Sequence, residues 1–315
     1  MSKKKNDDEQ PVSAIEDGML FGWEEDRQGS DEFLSSLSKP TWSQAAPELE
    51  SAGKDVFLGT YLLECYPEWE RWSQPIGSCV GWGSSLSLDV LAATDIRLRA
   101  EPERFGGRTL EASVYGLSRT AARGITRNLG GDGSTGFHAA KAITKFGSLH
   151  YGIEYNGLAF KVLTAEVERA FGRDGLSEPL MKCALEHTAR EVTLVETWSD
   201  YEKSISNGYP VFICSNRGFG MTMKDGWISP SGVWNHCMMG LAVRVDKPGA
   251  LIVNSWGDCY RGSVDERLPK QFQRCAAWVE AEVVEAMLSQ SDSYAVAGYK
   301  GFEPTTMPNW TGGIL

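Results

Sequence analysis

Apolar residues recur at helical spacing along the first two thirds of the chain. The longest such pattern covers residues 80–99, where no proline interrupts it and Pro102 marks the stop. Shorter helical patterns precede and follow it, over residues 30–37, 114–123, 139–146, 165–171 and 178–190. This part of the chain is therefore predicted to be rich in helices.

The pattern changes near residue 192. Ser199 and Glu202 form a capping box, and the short helix that it opens is predicted to end at Asn207-Gly208. Apolar runs then predict strands over residues 209–215, 238–245, 251–255 and 294–299, with one helix over 278–288. Helices followed by strands favour an α+β fold. We predict an acidic N-terminal arm (1–55), a helix-rich lobe (56–190), a strand-rich lobe (191–300) and a C-terminal tail (301–315).

Negative charge is concentrated near the N-terminus. The chain has 31 Lys and Arg against 42 Asp and Glu, and residues 1–50 hold 12 of the acidic residues with 5 basic ones. An acidic chain without a basic block is a poor match for nucleic acid, which proteins bind by neutralising phosphates. We therefore expect no nucleic-acid partner. The acidic arm is expected to be solvated and partly ordered, and to serve as a docking surface for a partner.

The sequence contains no signal for a membrane span, for secretion or for a metal. No run approaches 18 apolar residues, and an acidic stretch follows the lysines at positions 3–5, where a secretory signal requires an apolar one. The seven cysteines are dispersed and form no CxxC pair. We expect neither a disulfide framework nor a zinc site, and no organic cofactor.

Cys79 begins the longest predicted helix, and Gln74 lies just upstream. At this position the helix dipole lowers the pKa of a thiol, and the free N–H groups of the helix start can bind an oxyanion. The Gln74 amide is a candidate for the second donor. The alternative for Cys79 is an inert, buried thiol.

A histidine and an asparagine lie at the ends of two successive predicted strands. His236 precedes one apolar strand, and Asn254 ends the next. A histidine base needs a partner that fixes its tautomer, and the Asn254 amide can accept from the imidazole. Trp256 can shield that hydrogen bond from water. The alternatives are a core histidine with satisfied hydrogen bonds and an ordinary polar turn before Gly257.

Taken together, these residues resemble the papain-like cysteine peptidases (clan CA, C1-type) in a divergent form, of which phage-encoded proteins are one kind. The order Cys79, His236, Asn254 and the run Asn-Ser-Trp-Gly at 254–257 carry the resemblance. The separation of Cys79 from His236 is slightly above the roughly 130–150 residues typical of the papain layout. The glycine-dense loop at 131–136, followed by a predicted helix, resembles the loop with which the family pairs a bound peptide.

The resemblance implies a papain-like two-lobed fold, with a helical lobe carrying the cysteine and a β-rich, barrel-like lobe carrying the histidine and asparagine. It implies that Cys79 is the nucleophile that forms a thioester and that His236 is the general acid and base. It also implies that Asn254 orients His236 and that Trp256 shields the pair. The oxyanion would bind Gln74 and the Cys79 N–H. The residues implied to bind peptide are Gly131, Asp132, Gly133 and Ser134.

Several positions depart from the family pattern. Gln74 is one residue closer to Cys79 than is usual, and Val80 replaces the usual tryptophan after the nucleophile. Ile76 stands where the family often has a second cysteine, which fits a reducing compartment. Residues 1–70 show no helical pattern of an inhibitory propeptide.

Three functions remain open at this point. The first is an active cysteine peptidase that acts on a protein or peptide. The second is a structural component of a phage particle or other assembly, with the same fold and little or no catalysis. The third is an amidase of the same superfamily that does not cleave proteins, since a fold does not determine a substrate. We expect the protein to be cytoplasmic or virion-associated.

Overall fold

The computed structural model describes residues 19–70 and 72–299. Ten α-helices and one 3-10 helix lie in these ranges: α1 Arg27–Ser35, α2 Trp42–Ala45, α3 Gly59–Cys65, α4 Cys79–Leu98, α5 Glu111–Arg119, the 3-10 helix Ala121–Arg123, α6 Gly136–Lys145, α7 Ala165–Asp174, α8 Glu178–Ala184, α9 Trp198–Ser206 and α10 Ala281–Leu288. Within these described ranges, no helix is both long enough and apolar enough to cross a bilayer.

Eleven strands occur in the same ranges: β1 Val56–Phe57, β2 Glu154–Tyr155, β3 Leu158–Ala159, β4 Ala189–Leu194, β5 Val211–Phe219, β6 Thr222–Met223, β7 Pro230–Arg244, β8 Gly249–Val253, β9 Arg261–Gly262, β10 Ala276–Glu280 and β11 Tyr294–Tyr299. The main sheet has the order β10-β8-β7-β5-β11-β4, and β1 pairs with β7. All of its pairings are antiparallel.

Helix α4 lies at the centre of the molecule. It contacts α3 and α5 on the helical side and β7 and β11 of the main sheet. Gly83 permits this close packing, because a Cβ at that position would lie 2.8 Å from the Cys237 sulfur. Apolar side chains on most sides of α4 are buried, as expected for a helix enclosed by helices and a sheet. The N-terminus of α4 is thereby fixed against the sheet.

The register of the sheet places His236 and the end of β8 side by side. On β7, His236 pairs with Ser215 of β5, while Met239 pairs with Val253, the last residue of β8. Asn254 follows directly. Because β7 and β8 are antiparallel, the start of the buried part of β7 lies next to the end of β8.

Two predicted helices end or begin at the wrong place. The helix predicted over 178–190 ends at Ala184, because Ala189 already pairs with Tyr299 in the sheet. The helix predicted over 278–288 begins only at Ala281, because Trp278 pairs with Leu251 as part of β10. In both cases pairing with a distant strand overrides the local helical pattern.

The cap of α9 also differs from the prediction. Thr197, rather than Ser199, is the N-cap, and its hydroxyl accepts a hydrogen bond from the Asp200 N–H at 3.1 Å. The predicted end of this helix at Asn207-Gly208 is confirmed, since the helix ends at Ser206. Of the predicted strands, β11 has the bounds that the sequence indicated.

The described part of the N-terminal arm packs on the rest of the molecule. Phe21, Trp23, Phe33 and Trp42 are all buried. Most other side chains of residues 24–55 are exposed or half-buried, and α1 lies close to the predicted helix, so the arm is partly ordered as expected. The prediction of a solvated segment is wrong for the four aromatic side chains, which join the two main hydrophobic clusters. Residues 1–18 of the arm and the predicted tail at 301–315 lie outside the described residues.

Candidate active site

Cys79 is the first residue of α4 and is fully buried. Burial raises the pKa of its thiol, and the neighbouring Cys237 raises it further. The backbone N–H groups of Cys237 and Gly22 oppose this shift by donating hydrogen bonds to the sulfur. All seven cysteines are free thiols. In this arrangement the Cys79 thiol is held neutral, because no counter-charge offsets its loss of solvent.

The antiparallel pairing of β7 with β8 brings His236 and Asn254 together. The Nε2 of His236 lies 3.0 Å from the Oδ1 of Asn254. That oxygen also accepts from the Ser255 N–H at 2.7 Å, while the Asn254 amide nitrogen donates to the Tyr260 hydroxyl at 3.3 Å. The amide orientation is therefore defined, and Nε2 must be the donor. The neutral imidazole then has its lone pair on Nδ1.

The Nδ1 atom of His236 has no hydrogen-bond partner among the described residues, and no hydrogen bond joins it to Cys79. Burial lowers the pKa of His236 to about 4, and the hydrogen bond with Asn254 opposes this shift. The result is a neutral histidine with one oriented, vacant acceptor nitrogen. Such a nitrogen is what a general base requires.

Aromatic rings enclose the hydrogen bond between His236 and Asn254. The Trp256 indole stacks on the His236 ring with centroids 4.4 Å apart, and Phe21 meets His236 edge-on at 6.1 Å. Both side chains keep water from the pair, which strengthens a hydrogen bond. The structure thus places Trp256 where the predicted shield would be.

Gln74 is held by the turn that follows Asn254. Its Oε1 accepts a short hydrogen bond from the Ser255 hydroxyl, and its backbone N–H donates to the Ser255 carbonyl at 2.8 Å. The Nε2 atom donates to the carbonyl oxygens of Ile76 at 2.8 Å and Leu20 at 3.1 Å. Although Gln74 is one residue closer to Cys79 than is usual in the family, its side-chain amide therefore still donates to a peptide carbonyl, that of Leu20.

The glycine-dense loop contributes chiefly through Ser134. Its N–H donates to the carbonyl of Gly22 at 2.8 Å, and its carbonyl accepts from the N–H of Glu24 at 2.8 Å. Among the other predicted loop residues, Gly133 donates to the Tyr115 hydroxyl, and Asp132 accepts a long hydrogen bond of 3.4 Å from the Gly77 N–H. At Gly131 an added Cβ would meet nothing within 4 Å.

A segment of the N-terminal arm occupies the groove between these residues. We call residues 20–24 the covering segment. It pairs with Ser134 on one side, and on the other the N–H groups of Gly22 and Trp23 donate to the carbonyl of Asn235 at 3.1 and 3.0 Å. Gly22 passes so close to the start of α4 that an added Cβ would overlap the Gly77 carbonyl oxygen. This segment buries Cys79.

Two side chains of the covering segment have polar partners in the rest of the molecule. The Trp23 Nε1 donates to the Oδ2 of Asp292 at 2.7 Å, and Glu24 forms an ion pair with Arg123 at 2.6 Å. Asp292 also accepts from the N–H groups of Gly136 and Phe137, the first two residues of α6. Burial raises the pKa of Asp292 to about 7, and its donors, Trp23 first, oppose the shift.

Sequence reasoning did not identify the covering segment or Asp292. The available signal was the pair of aromatic residues around Gly22 within an otherwise acidic stretch. Asp292 offered no comparable signal, since a lone aspartate before a strand is ordinary. In the part of the chain that the structure describes, no cluster of His, Cys, Asp or Glu is arranged to hold a metal.

The arrangement of helices and sheet is the papain-like two-lobed fold, so the predicted α+β fold class is confirmed. No protein-family model matches the chain, and no curated protein matches it. Among solved structures, it is similar to procathepsin B S9 from Trypanosoma congolense, with a TM-score of 0.52, 8% identity, and coverage of 89% of this chain and 87% of that one. At this identity the similarity shows the fold alone.

Another similar structure is xylellain, a cysteine protease from Xylella fastidiosa. It has a TM-score of 0.49 and 12% identity, and the match covers 91% of this chain and 94% of that one. Procathepsin L 3 of Tenebrio molitor larval midgut gives a TM-score of 0.46 and 16% identity, with coverage of 85% and 79%. These structural neighbours are papain-like cysteine proteases.

Proposed function

We propose that the chain is a papain-like cysteine peptidase whose own covering segment fills the cleft. One observation supports the proposal. The covering segment pairs through its backbone with Ser134 and Asn235, and its Gly22 N–H donates to the Cys79 sulfur. Backbone pairing is independent of side chains, so the groove suits peptides in general. The substrate class is therefore a protein or peptide, and the reaction uses no metal or organic cofactor.

The proposed chemistry gives each side chain of the site one role. The Cys79 sulfur attacks the carbonyl carbon of a bound peptide, while His236 Nδ1 takes the thiol proton. The oxyanion of the tetrahedral intermediate accepts from Gln74 Nε2 and from the N–H of Cys79 at the start of α4. When the C–N bond breaks, His236 gives its proton to the leaving amine, and a thioester remains on Cys79.

Water completes the reaction. His236 Nδ1 removes a proton from a water molecule, whose oxygen attacks the thioester carbonyl. The second tetrahedral intermediate breaks the C–S bond, which releases a carboxylic acid and restores the Cys79 thiol. Asn254 accepts from Nε2 throughout and keeps the imidazole in the tautomer that both steps require.

With the covering segment in the groove, the site is blocked, and the segment itself is not positioned to be cleaved. Gly22 presents its N–H, and not a carbonyl carbon, to the Cys79 sulfur. The Leu20 carbonyl oxygen meanwhile occupies the donors of Gln74 and Trp256. A substrate can enter only after residues 20–24 leave the groove, so the protein as described is latent.

The test uses the full-length protein and an epoxysuccinyl thiol reagent, with the adduct located by mass spectrometry. Gly22→Ala is expected to displace the covering segment from the groove, because the added Cβ would overlap the Gly77 carbonyl oxygen. Gly220→Ala is a matched control, because its Cβ would meet only one atom, at 3.9 Å. We expect rapid, single labelling of Cys79 and hydrolysis of a casein substrate in Gly22→Ala alone, both lost on adding His236→Ala.

Other outcomes would overturn the proposal. Absence of Cys79 labelling in Gly22→Ala, in a protein that remains folded, would favour a catalytically silent component of an assembly such as a phage particle, docked through its acidic arm. Labelling of Cys79 without hydrolysis of any peptide would instead favour an amidase with a different substrate. Wild-type labelling as fast as that of Gly22→Ala would contradict the latent state.

A further inference from the structure

We propose that the chain reduces hydroperoxides through three neighbouring thiols, those of Cys79, Cys237 and Cys214, which we call the thiol relay. A sulfenic acid formed on Cys79 passes its oxidation to Cys237 and then to Cys214, so the nucleophile is regenerated. This activity goes beyond the proposed peptidase. It uses the same Cys79 and His236, but it requires no bound peptide and no cleavage.

The Cys237 thiol lies beside the helix turn that carries Cys79. Both side chains are fully buried and belong to the same hydrophobic cluster. Cys237 follows His236 on β7, and its backbone N–H donates to the Cys79 sulfur. Gly83 lies one turn after Cys79 on the same face of α4, and an added Cβ there would lie 2.8 Å from the Cys237 sulfur. The first transfer therefore joins neighbouring sulfurs.

Cys214 and Cys237 form a pair across two strands. β5 and β7 are antiparallel, and their register sets Cys214 directly opposite Cys237. Opposed residues of antiparallel strands have Cα atoms about 4.5–5.5 Å apart, within the roughly 4.4–6.8 Å that a disulfide requires. The two thiols also form a hydrogen bond with each other, and Cys214 is fully buried in the cluster that holds Cys79. A disulfide between them is therefore compatible with the strands in place.

Oxidation begins at Cys79, the thiol that the proposed base serves. When the covering segment has left the groove, His236 Nδ1 takes the thiol proton and the sulfur attacks one oxygen of hydrogen peroxide. The O–O bond breaks, and the leaving hydroxide takes the proton from His236 and becomes water. Cys79 is left as a sulfenic acid, whose sulfur has lost the two electrons that the peroxide has gained.

Two further steps carry the oxidation away from Cys79. The Cys237 sulfur attacks the sulfenic sulfur, the S–O bond breaks, and the hydroxyl group leaves as water with the Cys237 proton. The Cys214 sulfur then attacks the Cys237 sulfur, the bond from Cys237 to Cys79 breaks, and the Cys214 proton passes to Cys79. The product is a Cys214–Cys237 disulfide with Cys79 again a thiol. A small dithiol then reduces this disulfide and becomes oxidised itself.

The test treats full-length Gly22→Ala with one equivalent of hydrogen peroxide, and the disulfides are mapped by unreduced digestion and mass spectrometry. We expect a mass loss of two hydrogens, a disulfide between Cys214 and Cys237, and a Cys79 thiol that iodoacetamide still alkylates. Dithiothreitol should reverse the mass change. An unchanged mass, a disulfide that remains on Cys79, or sulfinic acid on Cys79 with the other two thiols intact would each overturn the proposal.

Three variants in the Gly22→Ala background separate the thiols. Cys237→Ala removes the first acceptor, so Cys79 should gain oxygen atoms and lose its alkylation irreversibly. Cys214→Ala stops the relay one step early and should hold Cys79 in a disulfide with Cys237, which dithiothreitol reopens. Cys275→Ala is the matched control, because this buried cysteine lies in the other main hydrophobic cluster and should leave the outcome unchanged. The same products in all three variants would refute the relay.

Peptide cleavage is measured on the same samples, so that the two proposals fail separately. Hydrolysis of casein with no transfer of oxidation from Cys79 would refute the relay and leave the peptidase intact. Transfer to Cys214 and Cys237 without hydrolysis would refute the peptidase alone. The wild-type protein should form the same disulfide over a longer exposure to peroxide, so the result does not depend on the folding of Gly22→Ala.

Discussion

Trp23→Phe isolates the hydrogen bond that anchors the covering segment. The phenyl ring keeps most of the apolar contact of the indole, but it removes the donor to Asp292. Above about pH 7, the value to which burial raises the pKa of Asp292, this carboxyl is mostly ionised. Losing a hydrogen bond to a charged, buried group costs about 1.5–3 kcal/mol. If Cys79 reacts only when the segment has left the groove, the equilibrium for opening rises by about 10- to 150-fold.

The assay is the rate of Cys79 alkylation by iodoacetamide, followed by mass spectrometry of the intact and digested protein. Cys79 is fully buried under the segment, so its rate reports the open fraction. Cys183 is partly exposed and provides an internal reference in the same sample. We expect Trp23→Phe to raise the ratio of the Cys79 rate to the Cys183 rate by the factor given above.

Trp42 provides the matched control. It lies in the same arm and is equally well buried, but its indole nitrogen has no hydrogen-bond partner among the described residues. Trp42→Phe therefore removes no hydrogen bond and should leave the Cys79 rate unchanged. The reasoning is refuted if Trp23→Phe labels at the wild-type rate, or if Trp42→Phe accelerates labelling as much.

Two further predictions concern the oxyanion donor and the buried carboxyl. In the uncovered Gly22→Ala protein, adding Gln74→Ala should lower kcat by about 10²–10³-fold with KM little changed, as steady-state kinetics on one peptide would reveal; an unchanged kcat would exclude Gln74 as a donor. The folded protein binds the Asp292 proton more tightly than the unfolded chain, since its pKa of about 7 lies above the ordinary 3.8. This group's stabilisation is full below pH 4 and lost as pH rises to about 7, so urea unfolding should show the wild-type free energy falling relative to Asp292→Asn by at most about 4 kcal/mol. A constant difference would contradict the assignment.

The sequence by itself determined the parts of the site that depend on local pattern. The long apolar repeat placed Cys79 at a helix start, and short apolar runs placed His236 and Asn254 on or beside successive strands. The position of His236 at a strand end was wrong, because β7 begins at Pro230 and His236 lies inside it. Successive antiparallel strands commonly lie side by side. The proximity of His236 and Asn254, whose Nε2 and Oδ1 atoms lie 3.0 Å apart, was therefore predictable without knowing the rest of the molecule.

Only the tertiary structure decided how the cleft is filled. Residues 20–24 have neither helical nor strand periodicity, and their backbone pairs with backbone atoms of Ser134 and Asn235, which any sequence offers. The bond from Trp23 to Asp292 joins residues 269 positions apart. The same limit explains the misplaced ends near residues 189 and 278, where pairing with a distant strand outweighs helical propensity. Periodicity describes what a segment can form alone, whereas these features depend on which distant segment it meets.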